Sequence, residues 1–255
     1  MRRRSLAVVA VAAVFGLYPA RPAAGQQAPL RVFVSNGVKT VIDEIRPQWE
    51  HAAGRPLSFE FGTTAGLKAK LESGADFDAT VLTSEAIADL VKDGKVASAS
   101  RSEIARCGIG VGVRAGAVKP DIRTAAALKR TLHDSKSVTF AEAGASRNYL
   151  DKMFGQFGLA DEMKAKTVLT PSSVNSNELV RDGKAQYILT LVSEILPAPG
   201  VELVGPLPAD VQSYVNFAAG VSAKTAHAKE AEALVRFLKS SDAAPVFRAK
   251  GLETR

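Results

Sequence analysis

The stretch LRVFVSNGVKTVIDEIRPQWEHAAGRPLSFEFGTTAGLKAKLESGADFDATVLT, residues 30–83, alternates short apolar strands with amphipathic helices. Leu30 to Val34 reads as a strand. After Ser35-Asn36-Gly37, the apolar residues Val38, Val41, Ile42, Ile45 and Trp49 recur at helical spacing and form one face. Leu57 to Phe61 alternates as a second strand, and Gly62-Thr63-Thr64-Ala65-Gly66 leads into a helix carrying Leu67 and Leu71. Asp78 to Leu82 is a third strand, and Thr83-Ser84 caps a helix with Ile87, Leu90 and Val91. Strands and helices alternating across short turns predict a mostly parallel sheet covered by helices, an α/β fold.

The same rhythm resumes further along. Gly108 to Val113 reads as a buried strand, Thr124 to Leu132 as a helix and Val138 to Phe140 as a strand. A long helix from about Ser146 places Leu150, Met153, Phe154 and Phe157 on one face. Val168-Leu169 is a short strand, Glu178 to Val180 lies in a helix, and Tyr187 to Val192 is strand again. Leu196 to Gly200 is a turn or connector, Tyr214 to Val221 is a strand, and the end is helical through Leu234, Val235, Leu238, Val246 and Phe247. The chain shows no repeat and no low-complexity tract.

Before this α/β run stands MRRRSLAVVAVAAVFGLYPARPAAG, residues 1–25. Three arginines precede an apolar stretch, Leu6 to Leu17, too short for the ~20 residues of a spanning helix. Ala23 and Gly25 occupy the small positions read by signal peptidase. The expectation is a signal peptide cleaved near Gly25, giving a soluble periplasmic protein. With 46% hydrophobic and 23% charged residues, the full chain has globular composition. The net charge of +7 falls to +3 once Arg2, Arg3, Arg4 and Arg21 leave. No block of Lys and Arg suggests nucleic acid. Cys107 is the single cysteine, which excludes an intramolecular disulfide, and His51, His133 and His227 share no ligand spacing. Neither a metal nor a cofactor is expected.

Four connections share one design, in which a strand ends, small hydroxyl, amide or glycine residues follow, and a helix starts. They are Ser35-Asn36-Gly37, Thr63-Thr64-Ala65-Gly66, Ala143-Gly144-Ala145-Ser146-Arg147 and Ser172-Ser173-Val174-Asn175. In a parallel α/β sheet such loops lie beyond the carboxyl ends of the strands, where ligands bind. Each exposes a helix N-terminus suited to an anion, although Ser, Thr and Asn are also ordinary N-caps. Arg147 stands in the first turn of its helix, where a cation opposes the dipole. It is either a solvated charge or a guanidinium that forks onto a ligand carboxylate.

These residues resemble a family. LRVFVSNGVKTVIDEI, ESGADFDATVLTSEAIADLVKDGKV, SEILPAPGVELVGPLP and the closing AEALVRFLKSSDAAPVFRAKGLE are similar to periplasmic substrate-binding proteins of the molybdate-binding type, over nearly the whole chain after residue 25. The resemblance implies the type II periplasmic binding fold, two α/β lobes that close around a small ligand. Its hinge crossings would be Gly108 to Val113 and Tyr214 to Val221. Lobe 1 is then expected at 28–110 and 217–255, and lobe 2 at 111–216. The family's molybdate binders offer a serine hydroxyl where this chain has Gly37 and a tyrosine hydroxyl where it has Thr190, while Thr64 is kept in kind. With Arg147 in the cleft, these departures favour another small anion, a polycarboxylate best.

The chain also resembles bacterial aconitate isomerase, which shares this fold and needs carboxylate clamps and one group that moves a proton. Glu142 is the expected base in that case, and capping of its loop is the plainer role. Lys39 and Lys68 are possible clamps or solvated helix residues. The leading reading is a monomeric solute-binding protein that captures a small anion through Ser35, Asn36, Gly37, Thr63, Thr64, Ala145, Ser146, Arg147, Asn175 and Thr190, for an ABC-type transporter. A cofactor-free isomerase is the alternative, and a sensor presenting its closed form to a membrane kinase is the third.

Overall fold

The computed structural model describes residues 28–53 and 55–254, so the expected signal peptide lies outside the described residues. The first strand, β1 (Leu30–Ser35), lies between β2 (Leu57–Gly62) and β3 (Ala79–Thr83), and both pairings are parallel. The connecting helices are α1 (Lys39–Ala53) and α2 (Thr64–Glu72). Val41, Ile42, Ile45 and Trp49 of α1 are buried in one cluster with Leu30, Val32 and Val34 of β1. Each such side chain contributes about 1.5–3 kcal/mol by leaving water. Helix α3 (Ser84–Lys92) buries Ile87 and Leu90 against a smaller cluster with Phe33 and Leu71.

A second parallel trio follows. Strand β5 (Val138–Ala141) pairs with β6 (Thr167–Thr170) and with β7 (Tyr187–Leu191). Around it lie α4 (Ala125–Asp134), α5 (Arg147–Gln156), α6 (Ala160–Lys166), α7 (Ser173–Arg181) and the single turn α8 (Val192–Ile195). The helix expected from Ser146 breaks at Gly158, which adopts φ 67°, and α6 resumes beyond it. At the chain's end come α9 (Ala228–Leu238) and α10 (Ala244–Ala249).

The two trios are joined by one long strand, β4 (Ser102–Arg114). Its first half, to Gly108, runs antiparallel to β9 (Tyr214–Val221), and Ala105 to Cys107 also meet β10 (Leu252–Thr254). From Ile109 onward the same strand pairs with β7 and with β8 (Val201–Pro206). Partner exchange therefore falls between Gly108 and Ile109. β9 returns the chain to the first trio by pairing with β3.

Gln212 fixes this junction. Its amide oxygen accepts from Ile109 N at 3.0 Å and its amide nitrogen donates to Ile109 O at 3.0 Å, beside an Ile109 N to Ser213 O bond of 3.3 Å. Cys107, next to the junction, is a buried free thiol. Burial pushes its pKa up, against hydrogen bonding to Ser193, so it remains a protonated core group. No helix among the described residues is long and apolar enough to cross a membrane.

Candidate functional site

The carboxyl ends of the two trios face each other, and the loops leaving them build a two-chambered cleft. The inner chamber is lined by Ser35, Asn36 and Gly37 after β1, Thr63 and Thr64 after β2, Gly144 and Ala145 after β5, Ser173 at the start of α7, and Glu194 of α8. Its free volume of about 10 Å³ is room for one water. Thr64, Gly144 and Ala145 also line an outer chamber of about 420 Å³, which adds Lys68, Glu85, Asn148, Tyr149 and Tyr214.

Local hydrogen bonding explains how the loops hold their shape. Ser35 Oγ accepts from Gly37 N at 3.4 Å and from Thr64 Oγ1 at 3.2 Å, tying the first loop to the second. Thr63 Oγ1 caps α2 by accepting from Gly66 N at 3.2 Å. Gly37 is required by close approach: a Cβ there would lie 2.5 Å from Phe217 Cζ and 2.8 Å from Leu191 Cδ1. Its carbonyl accepts from Ser193 Oγ at 2.7 Å, a bond from the first loop to α8. Gly37 is thus a packing residue. The hydroxyl that the first loop places at the chamber belongs to Ser35.

Glu194 is the central charge. Its carboxylate accepts from Ser173 Oγ at 2.9 Å and from Thr190 Oγ1, and Asn177 Nδ2 donates to its backbone carbonyl at 3.0 Å. Burial pushes its pKa above the usual carboxylate value, outweighing the Thr190 and Ser173 hydroxyls and the Leu191 amide, which pull it down. A carboxyl with a raised pKa at the floor of a cleft is a candidate to exchange a proton with a ligand. Glu194 is absent from the sequence-based site because no strand-end loop motif includes it. The signal available was an acid one turn beyond a buried strand end.

Several expected residues lie elsewhere. Arg147 turns away from the cleft: its Nε donates to Asp151 Oδ2 at 2.6 Å and its guanidinium lies over the Phe140 ring, 5.4 Å from the centroid. An aromatic face and an i+4 carboxylate satisfy the cation better than the positive end of its own helix does. Glu142 is exposed, lines neither chamber, and its amide bonds Thr170 O at 2.8 Å. The loop turns it outward while Gly144 and Ala145 face in, so the acid lining the inner chamber is Glu194. Asn175 is exposed and bonded to Ser172 and Glu178, leaving Ser173 as the α7 contribution. Ser146 is buried and makes no side-chain cap. Thr190 reaches the chamber only through Glu194. Lys39 pairs with Asp43 and lies over Phe61, whereas Lys68 lines the outer chamber while paired with Glu72 at 2.7 Å and Asp89 at 3.2 Å. No group of three or more His, Cys, Asp or Glu among the described residues has the geometry to hold a metal ion.

Residues 30–253 match the family model described as bacterial extracellular solute-binding protein, and the chain belongs to that family. Its fold is that of the type II periplasmic binding proteins. Among curated proteins it is 30% identical to an aconitate isomerase from Pseudomonas sp. over 88% of this chain and 87% of that protein. It is 25% identical to the molybdate-binding protein of Azotobacter vinelandii over 89% of this chain and 91% of that one. Of solved structures, the A. vinelandii periplasmic molybdate-binding protein superposes with a TM-score of 0.75 at 18% identity, covering 88% of this chain and 98% of that chain. The sulfate-binding protein of Mycobacterium tuberculosis gives 0.72 at 18% identity, over 89% and 86%.

Proposed function

We propose that this protein binds a small polycarboxylate in the cleft and shifts a proton along it, an allylic isomerisation of the aconitate type. The observation that carries the reading is Glu194, a carboxyl of raised pKa and, among the described residues, the one charged residue lining the inner chamber beside hydroxyls and helix N-termini. Within that site a permanent second anion beside molybdate or sulfate would repel it. A carboxyl that gains and loses a proton is instead useful to a substrate with an acidic C–H. One ligand carboxylate meets Thr64, which lines both chambers, and the rest of the molecule extends through the outer chamber toward Lys68. Glu194 takes a proton from the methylene carbon. The electron pair moves into the allylic system, and Glu194, whose proton exchanges with water, returns a proton at the far carbon. Ser173 and Thr190 orient the Glu194 carboxylate.

Capture of the same anion for an ABC-type transporter is the second reading. It is favoured by the family match and by a cleft whose inner chamber has room for one water. Both readings place the protein in the periplasm after loss of residues 1–25, as two lobes meeting at Gly108 and Ile109. They differ in turnover. Thermal shift with molybdate, sulfate, citrate and both aconitate isomers ranks the ligands, since saturation at 100 times Kd adds about 2.7 kcal/mol. Polycarboxylates are expected to stabilise most. Incubation with one aconitate isomer should then yield the other, whereas tight binding without product would leave the transport reading.

A further inference from the structure

Arg147 belongs to a second cavity of about 310 Å³ whose lining shares no residue with either cleft chamber. Phe140, Phe154, Met163 and Leu169 give it an apolar floor. Leu169, on the edge strand β6, is 41% exposed. The charged groups of the lining are Arg147, Lys164 and Asp151. The Asp151 carboxylate is already met by Arg147 Nε at 2.6 Å, so one positive charge is in excess beside apolar surface.

We propose that this cavity binds an amphipathic monocarboxylate of roughly six to ten carbons, the size its volume admits. The carboxylate sits on the Arg147 guanidinium and the Lys164 ammonium, and the tail covers Leu169 and the edges of Phe154 and Met163. A polycarboxylate does not fit, because its further charges would lie on the apolar floor without partners. A cationic amphiphile is repelled by the excess positive charge. This places the family's small-anion chemistry in the cleft and a separate site for a greasy acid on the outer side of α5.

Octanoate is the probe, titrated into the chain from residue 26 onward by calorimetry. The result expected is saturable binding that weakens about tenfold or more in Arg147→Ala, through loss of a charge-assisted bond. Arg147→Lys should recover part of it. Lys164→Ala, at an exposed position that does not endanger folding, should also weaken binding, and Leu169→Asp should nearly abolish it. Glu194→Gln should leave octanoate affinity unchanged, and octylamine should not bind. Absence of octanoate binding at millimolar concentration overturns the proposal. So does equal affinity in folded Arg147→Ala and Lys164→Ala, and so does loss of affinity in Glu194→Gln, which would put octanoate in the cleft.

Discussion

At the scale of single residues, position 37 separates packing from ligand chemistry. A side chain there meets Phe217 and Leu191 within 3 Å, so Gly37→Ser should destabilise the protein by about 1–3 kcal/mol, the usual cost of overpacking. It should not tighten oxyanion binding. Chemical denaturation with and without molybdate measures both. Glu194 gives a test in pH. Below its ordinary value of 4.5, both folded and unfolded chains hold the proton. As pH rises past that value the unfolded chain ionises first, so the native state binds more protons and stability falls until the raised folded pKa is passed. Glu194→Gln removes this loss. Its stability relative to wild type should therefore rise as pH increases above 4.5, and a flat difference would show that Glu194 ionises normally.

Among the elements, β4 and the segment that returns beside it hold the two halves together. Gln212 brackets Ile109 with both ends of its amide. Gln212→Ala leaves the Ile109 carbonyl and amide with poorer partners, and should lower stability by about 1–3 kcal/mol, read as a lower thermal midpoint with little change in far-ultraviolet circular dichroism. This is also where sequence legibility divides. The elements of residues 30–92 were readable because turn residues bounded each apolar stretch and each helix repeated its buried residues on one face. β8, β10 and the first half of β4 were not. Val201 to Pro206 carries glycine and proline around few apolar residues, and β10 is three residues long. In Ser102 to Cys107, charged Glu103 and Arg106 interrupt the apolar pattern. Those strands exist because β4 offers them a partner, a tertiary cause that local pattern does not record.

For the whole molecule, the fold brings together loops separated by up to 159 residues, from Ser35 to Glu194. Loop composition alone located Ser35, Asn36, Thr63, Thr64 and Ala145, since strand-end hydroxyls and small residues mark where backbone must approach a ligand. Direction within a loop was not legible. Arg147 and Glu142 stand one or two residues from cleft-lining positions, yet a helical turn aims the first at Phe140 and the loop aims the second at solvent. Glu194 was hidden for the opposite reason, because only the packing of α8 beneath α7 puts its carboxyl between Ser173 and Thr190.

The central claim is that this carboxyl moves a proton on a bound polycarboxylate. The direct measurement is deuterium incorporation into aconitate in heavy water, followed by proton NMR, for wild type and Glu194→Gln with ligand saturation confirmed for both. Wild type should introduce deuterium at the allylic positions, and Glu194→Gln should bind the ligand with incorporation reduced by at least ~100-fold. A wild-type protein that binds aconitate without exchange, or a Glu194→Gln protein that exchanges at the wild-type rate, would contradict the account.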